Sequence, residues 1–332
     1  MYDIITVGSA TIDCFTDTGK KLFKTLHKDH GEIVFVPFGS KINVEHMEFL
    51  TGGGGTNTAV SFARLGLKTS MIGKFGGEQS KQVITEMKRE KIDTSLIVNE
   101  NDCGFSVILD AKGKDRTILT HKGPNDKLKY SEINKKKIKT KWFYFASMVG
   151  ESYKTLESLA GFAKRNKIKV AFNPSLYITD KGTKFLKKIL DATDILVFNK
   201  EEALSLLKIK VHTEGSLDIG ILKRLLKLIK KNGIVIVTDG QNGSQTFDGK
   251  NIYYMKASSA KPNETTGAGD SFASGFVAGF IKGKPIDYCL QMGQANAESV
   301  IMKMGAKNDL LTFKEVQSVI KKNPAKIKIS EI

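Results

Sequence analysis

Cysteine, proline, tryptophan and arginine are all scarce in this chain, and two of these scarcities exclude whole classes of protein. Three cysteines in 332 residues, Cys14, Cys103 and Cys289, lie too far apart for a disulfide framework or a paired-cysteine metal site, so a reducing, cytoplasmic setting is expected. No apolar run reaches the length of a bilayer span; Ser271–Ile281 is among the longest and falls well short. The chain starts Met-Tyr-Asp-Ile-Ile-Thr-Val-Gly, with no basic region ahead of an apolar segment, and no secretory signal is expected. Only five of the 52 basic residues are arginine, although the formal net charge is +17. Readers of nucleic-acid sequence depend on arginine forks and interleaved aromatics. The lysines here instead cluster on expected helix faces and loops, as in Lys135–Lys139 and Lys227–Lys231. A solvated lysine coat is the expectation, with neither nucleic acid nor membrane as partner; its positive field would still draw in anionic nucleotides.

Common motifs are missing as well. There is no Gly-x-x-x-x-Gly-Lys-Ser/Thr string, no His-Arg-Asp or Asp-Phe-Gly triplet, no Gly-x-Ser-x-Gly elbow and no histidine spacing suited to a metal. Gly53-x-Gly55 lacks the third glycine of a dinucleotide fingerprint, because position 58 is Thr58.

What is present is a globular chain, 40% hydrophobic and 26% charged, long enough for one large domain with an excursion or for two smaller ones. Ile4–Val7 reads as a buried strand. Residues 14–51 break the rhythm with a lysine-rich loop, Lys20–His30, and strand-like runs at Glu32–Val36 and Glu45–Leu50. Gly52–Gly55 leads into Thr56-Asn57-Thr58, good capping residues, and a helix to Leu65 that Gly66 ends. Ser70–Gly73 reads as a strand and Ser80–Glu90 as a helix. Residues 96–122 form two arms, Phe105–Leu109 and Thr117–Leu119, about a turn at Lys112-Gly113-Lys114. From Trp142 onward, strands at Trp142–Ala146, Lys169–Phe172, Ile195–Phe198 and Ile234–Thr238 alternate with helices at Tyr153–Arg165, Lys181–Leu190, Glu201–Leu207 and Leu217–Lys231. That alternation implies an α/β fold whose mainly parallel sheet is covered on both faces. Residues 1–13, 52–95 and 123–332 are expected to make this core, and 14–51 with 96–122 a small β-sheet lid. The polar tail, Lys321–Ile332, is expected to fray.

The richest stretch is Glu-Thr-Thr-Gly-Ala-Gly-Asp-Ser-Phe-Ala-Ser-Gly at 264–275. A glycine turn that opens a helix leaves N–H groups unpaired, with the positive end of the helix dipole behind them, which suits a phosphate. Asp270 is a carboxylate in that anion-binding place. It is explained if it takes a proton from an attacking hydroxyl while the amides hold the phosphoryl group. A tight turn packing a helix on the sheet is the plainer alternative, weakened by two glycines, an acid and a small-residue helix occurring together. Gly52–Gly55 would let a ligand approach backbone closely or would simply be a pliant loop, and Asn57 reads as a cap or a ligand contact. Asn199-x-x-Glu202 follows a strand at the edge where open α/β sheets bind ligands, and reads equally well as a helix start. Thr238-Asp239-Gly240-x-x-Gly243 is a left-handed turn or a nucleotide contact. Asp13 ends the first strand and is weak alone.

Taken together, Gly52-Gly53-Gly54-Gly55-Thr56-Asn57-Thr58-Ala59-Val60 through Leu65-Gly66, and Thr265-Thr266-Gly267-Ala268-Gly269-Asp270-Ser271-Phe272, resemble the paired signatures of the PfkB/ribokinase family of carbohydrate and nucleoside kinases. Gly123-Pro124-Asn125, Phe172-Asn173-Pro174, Asn199-x-x-Glu202 and Thr238-Asp239-Gly240 lie between them in the family's order, so the likeness spans essentially the whole chain. The resemblance implies a ribokinase-like three-layer αβα sandwich with a small β lid, and ATP-dependent phosphorylation of a hydroxyl on a sugar or sugar-like molecule, with Mg2+. It implies Asp270 as base and the amides of Gly267, Ala268 and Gly269 as anion hole. Asp13, Gly53, Gly54 and Asn57 would hold the sugar. Asn199, Thr238, Gly240, Gly243 and Asn296 would line the nucleotide side, and Glu202 would place Mg2+ through water. Glu264 would lie near a monovalent-cation site, which leaves K+ activation open. Gly54 replaces the lysine that ribokinases carry in the first glycine run and argues against a strict ribokinase. A nucleoside kinase, with Phe105 as a wall for a base, is one alternative, and a non-catalytic sugar or nucleotide sensor is another. Pairing of lids into a homodimer is also open.

Overall fold

Short runs of Val, Ile, Leu and Phe are too brief for helices and have no polar alternation, so they pair as strands buried on both faces. In chain order the elements are β1 (Tyr2–Val7), β2 (Thr11–Asp17), β3 (Lys24–Lys28), β4 (Gly31–Phe35), β5 (His46–Gly52), α1 (Gly54–Arg64), β6 (Thr69–Ile72), α2 (Lys81–Arg89), β7 (Gly104–Asp110) and β8 (Thr117–His121). There follow β9 (Thr140–Ala146), α3 (Gly150–Arg165), β10 (Lys169–Asn173), α4 (Leu176–Thr179), α5 (Thr183–Leu190), β11 (Ile195–Asn199), α6 (Lys200–Leu206), α7 (Ile219–Leu226) and β12 (Ile234–Thr238). The last part adds β13 (Ser244–Phe247), β14 (Asn251–Met255), α8 (Ala268–Ile281), α9 (Ile286–Ile301), α10 (Phe313–Lys322) and β15 (Ile327–Glu331). The structure, a computed structural model, describes all residues but 18–23, 29–30, 36–37, 42, 111–116, 211–214, 259–264 and 304; the side chains of 17, 24–28, 31–35 and 110 also lie outside it. Glu264 and the turn at Lys112-Gly113-Lys114 therefore fall outside the described residues.

One sheet of nine strands runs in the order β15-β14-β13-β12-β11-β10-β9-β1-β6. It is parallel from β6 to β12 and antiparallel over its last three strands. Successive strand residues point to opposite faces. Ile5, Phe143, Val170, Leu196 and Val235 pack under α3, α5, α6 and α7, whereas Ile4, Trp142, Ala171, Ile195 and Ile234 pack under α1, α8, α9 and α10. The result is the αβα sandwich expected. The close approach of α8 and α9 depends on glycine: a Cβ on Gly275 would lie 2.8 Å from Met292 O, and one on Gly293 2.8 Å from Phe272 O.

A separate four-stranded sheet, ordered β5-β2-β7-β8, grows from the carboxyl end of β1, and β3 pairs with β4 as a hairpin. The crossing from large to small sheet is fastened at Ala10. Asn125, itself buried, accepts from Ala10 N at 2.9 Å and donates to Ala10 O at 2.8 Å, as a neighbouring strand would.

Several expectations need correction. The small sheet takes in Thr11–Asp17 whole, so Asp13 sits within β2 and not at the end of the first core strand. The lysine-rich segment Lys20–His30, expected as a loop, is partly strand, through β3. Thr56, Asn57 and Thr58 are not caps but the first turns of α1, whose N-cap is Gly53 at φ 97°; Thr58 Oγ1 bonds back to Gly54 O at 2.6 Å. The tail does not fray: β15 pairs along β14 from Asn251↔Glu331 to Met255↔Ile327, and a polar sequence is tolerated because this edge strand is largely solvent-exposed.

Candidate active site

Helix α8 opens at Gly267, whose φ of 81° lies in the left-handed region, and an added Cβ would run into the backbone of Ala306. Glycine is therefore required by both torsion and space. The turn carries Gly269 and Asp270 in the first helical turn, where helix geometry supplies no carbonyl partner to the leading N–H groups. One amide of the expected anion hole is engaged already: Ala268 N donates to Thr265 O at 3.2 Å, because the turn folds back on itself before the helix starts.

Asp270 reaches across to α1. Asn57 donates from Nδ2 to Asp270 Oδ2 at 2.9 Å. Burial pushes the Asp270 carboxyl up to about 6, against the opposing pull of the Asn57 amide and the Lys307 ammonium. A Cβ on Gly54 would lie 3.8 Å from Asp270 Oδ1, so the missing side chain leaves the carboxylate an open approach.

Asn199 and Glu202 close a reciprocal cap at the start of α6. Asn199 Oδ1 accepts from Glu202 N at 2.8 Å, and Glu202 Oε2 accepts from Asn199 N at 2.8 Å. These residues cap the helix and also line a cavity. Glu202 is pushed up to about 7 by burial, with Glu201 and Asp270 adding like charge and the Asn199 amide opposing.

Two cavities meet here. The first, about 380 Å³, is lined by Gly54, Asp270, Gly267, Gly269, Asn199, Glu202 and Thr238. It is also lined by Asn125 and Asn173, from motifs named above, and by Ser9, Lys122, Asp126, Ser147 and Tyr177, which the sequence did not single out. Lys122 Nζ stands 5.7 Å from the centroid of the Tyr177 ring. The second cavity, about 390 Å³, shares Asn199, Thr238 and Gly269 with the first and adds Gly240, Gly243, Ala268, Gln294, Ala297 and Glu298. Gly243, at φ 99°, has no room for a Cβ beside Met255 O. The shared residues make the junction of two compartments, and Asp270 stands on the first side of it.

Asp13, Gly53 and Asn57 do not line either cavity wall; they stand behind the first, where the small sheet meets α1. Asp13 is buried, and a Cβ on Gly52 would land on its Oδ2. Burial raises its carboxyl, opposed by Thr11, Ser106, Lys307 and Lys122. Asn296, expected on the nucleotide side, lines neither cavity. It is wholly buried, donates to Ser61 Oγ at 2.9 Å and Ser271 O at 3.1 Å, and accepts from Leu311 N at 3.2 Å, so it ties α1, α8 and the α9–α10 connection together. Its helix neighbours Gln294, Ala297 and Glu298 face the second cavity instead. Phe105 is likewise displaced from its expected place: it packs with the Ala10, Ile12 and Val60 cluster, and register puts it beside Ile12 on the face opposite Asp13. No group of three or more metal-ligating side chains occurs among the described residues. No helix among them is long and apolar enough to cross a membrane.

Residues 1–312 match the family described as pfkB family carbohydrate kinase. An uncharacterized sugar kinase of Archaeoglobus fulgidus is 30% identical over 259 residues, covering 76% of this chain and 98% of that one. Among solved structures, Arabidopsis thaliana ribokinase complexed with ribose and ATP superposes with a TM-score of 0.79 at 21% identity, over 96% of this chain and 99% of that one. Methanocaldococcus jannaschii nucleoside kinase, described as an archaeal member of the ribokinase family, gives 0.77 at 21% identity, over 97% and 99%.

Proposed function

The chain belongs to the pfkB family of carbohydrate kinases and is a phosphotransferase with an alcohol group as acceptor, and from that premise we propose that it moves the γ-phosphoryl group of ATP to a hydroxyl of a sugar or sugar-like small molecule, with Asp270 as the base. The observation that carries this reading is the position of Asp270: it lines the first cavity one residue from Gly269, which both cavities share. An acceptor in the first cavity and a nucleotide in the second would bring the acceptor oxygen and the γ-phosphorus together across that residue.

Phosphoryl transfer is mostly positioning and charge stabilisation. The amides of Gly267 and Gly269 at the positive end of α8 would receive the migrating group, and Asp270 would take the acceptor proton as the new P–O bond forms and the bond from the γ-phosphorus to the β,γ-bridging oxygen breaks, with ADP leaving from the second cavity. Gly54 leaves room for the acceptor, Asp13 and Asn57 stand behind it, and Thr238, Gly240 and Gly243 line the nucleotide side. The small sheet acts as a lid over this junction, excluding water as the competing nucleophile. Glu202 and Asp270 face one cavity with like charge, and burial disfavours the ionised form of both; that wall suits a divalent cation. Magnesium usually takes one or two carboxylates, water and substrate phosphates. Glu202, with Asn199 beside it, would hold the ion, which supplies charge neutralisation to the phosphate oxygens when bound. Exposed Met47, Phe49 and Leu119 on the small sheet support lid-to-lid pairing as a homodimer, which the mass in solution tests.

The deciding experiment is a panel of sugars, sugar acids and nucleosides with ATP, Mg2+ and ADP detection, run with and without K+. Turnover of a sugar supports the reading, turnover of nucleosides alone moves it to the nucleoside branch, and ligand-induced stabilisation without ADP from any acceptor replaces it with a sensor.

A further inference from the structure

Most polar side chains that line the first cavity are already engaged within the fold. Asn125 is spent on Ala10. Asn173 donates to Val197 O at 2.9 Å and accepts from Tyr144 Oη at 3.4 Å. Ser147 and Ser175 pair with each other at 2.6 Å. Lys122 differs. Among the described residues it is the one cation lining this cavity, and it forms no ion pair with any of them. Its Nζ stands 5.7 Å from the centroid of the Tyr177 ring, and Tyr177 lines the same cavity. A ring face steadies an ammonium without using up its N–H donors, which stay available to a ligand. Tyr177 is 72% exposed, so the pair stands at the cavity mouth, where a bulky polar group has room.

Lys122 and Asp270 reach the cavity from opposite faces of the large sheet. Asp270 belongs to α8, whose Phe272, Ala273 and Phe276 pack with Ile4, Trp142 and Ile195 on one face. Lys122 opens the short turn Gly123–Asp126, which packs on α3, and Leu128 just beyond it lies in the core of the other face. Tyr177 is in α4, whose Ile178 belongs to that second core as well. An acceptor lying across the carboxyl ends of the strands would thus have one end at Asp270 and the other toward Lys122.

We propose that the acceptor carries an anionic group, a carboxylate or a phosphate, remote from the hydroxyl that is phosphorylated, and that Lys122 binds it. This rests on the reading of the first cavity as the acceptor site. The compact ammonium of lysine takes either anion as a point charge, and a hydrogen bond charged on both sides is about twice as strong as a neutral one. The remaining charges in the wall, Asp126, Glu202 and Asp270, are all acidic. An anion would be repelled beside them and held beside Lys122, so charge sets the direction in which the acceptor lies as well as its affinity.

The full-length chain is assayed with ATP, Mg2+ and ADP detection against ribose and fructose, each free, as the 1-phosphate and as the terminal phosphate. Gluconate and 2-dehydro-3-deoxygluconate form the carboxylate arm. An anionic acceptor should exceed the neutral sugars in kcat/KM by about tenfold or more, and the two arms show which anion is read. For that acceptor Lys122→Met should raise KM by about 10- to 100-fold, while Lys122→Arg, which keeps the charge, should stay within about threefold. KM for ATP should not move in either variant. A lysine that only balances Asp126 would affect neutral and anionic acceptors alike; that result overturns the proposal, as does a neutral sugar turned over as well as any anionic one. Should no compound yield ADP, calorimetric titration of the same panel without ATP decides. Anionic compounds that bind wild type and not Lys122→Met uphold the anion site while the kinase reading falls, and no binding of any of them overturns it.

Discussion

Asn57 and Asp270, 213 positions apart in the chain, are joined by a 2.9 Å hydrogen bond that binds the first turns of α1 and α8 to each other. The amide stabilises the charged carboxylate against burial. Asn57→Leu should therefore raise the Asp270 midpoint, and the acid limb of the pH–rate profile should move to higher pH by about one unit. Activity near pH 6 would fall roughly fivefold and recover above pH 8. A profile that scales down at every pH without moving would count against this link.

Asp270→Asn should lower turnover by about 10²–10⁴-fold with little change in nucleotide affinity. The same change should stabilise the fold at neutral pH. The native carboxyl sits at about 6 against an ordinary 3.8, so the folded state binds this proton more tightly, and stability declines as pH rises between those values. Above pH 6 the ionised group costs the fold on the order of 2–3 kcal/mol at most. Asparagine, with no charge to bury, should raise the melting temperature at pH 7 and lose that advantage below pH 4. Thermal denaturation across pH checks the sign.

Glu202→Gln preserves an acceptor for the Asn199 amide and hence the cap of α6. The fold should be retained while the magnesium concentration for half-maximal rate rises by roughly tenfold, the effect of about 1.4 kcal/mol. Rate measured against magnesium concentration reads this directly. An unchanged requirement would remove Glu202 from the metal.

Asn296→Ala should destabilise the protein by about 1–3 kcal/mol, since it leaves Leu311 N–H without its buried acceptor and takes from Ser61 one of two partners, Ser274 being the other. Nucleotide affinity should stay the same within about twofold, a difference of about 0.4 kcal/mol. Chemical denaturation paired with nucleotide titration separates the two effects, and a selective loss of nucleotide would return Asn296 to the site.

The parts legible from sequence were those whose cause is local. Apolar runs such as Ile234–Thr238 could only be buried strands, and the turn at Gly267–Asp270 carries its torsions and its carboxylate within a few contiguous residues. What stayed hidden depends on packing between distant segments. Lys307 has the sequence look of a surface lysine, and only the packing of Gly305 on Leu50 and of Ala306 beside Gly267 turns it inward. Asn57 was ambiguous because cap and ligand contact differ by a single turn of helix, and that turn is set by Gly53. Asn296 lies on a helix that lines the second cavity, yet one step of rotation decides between cavity and core. The edge strand β15 has almost no apolar signal and owes its place to backbone pairing with β14.

Asn125 grips both the N–H and the C=O of Ala10 where the chain leaves the nine-stranded sheet for the four-stranded one. The joint is thereby a fixed pivot and not a slack tether. Asp13, three residues beyond Ala10 on β2, is held close to this joint, where the chain passes from one sheet to the other.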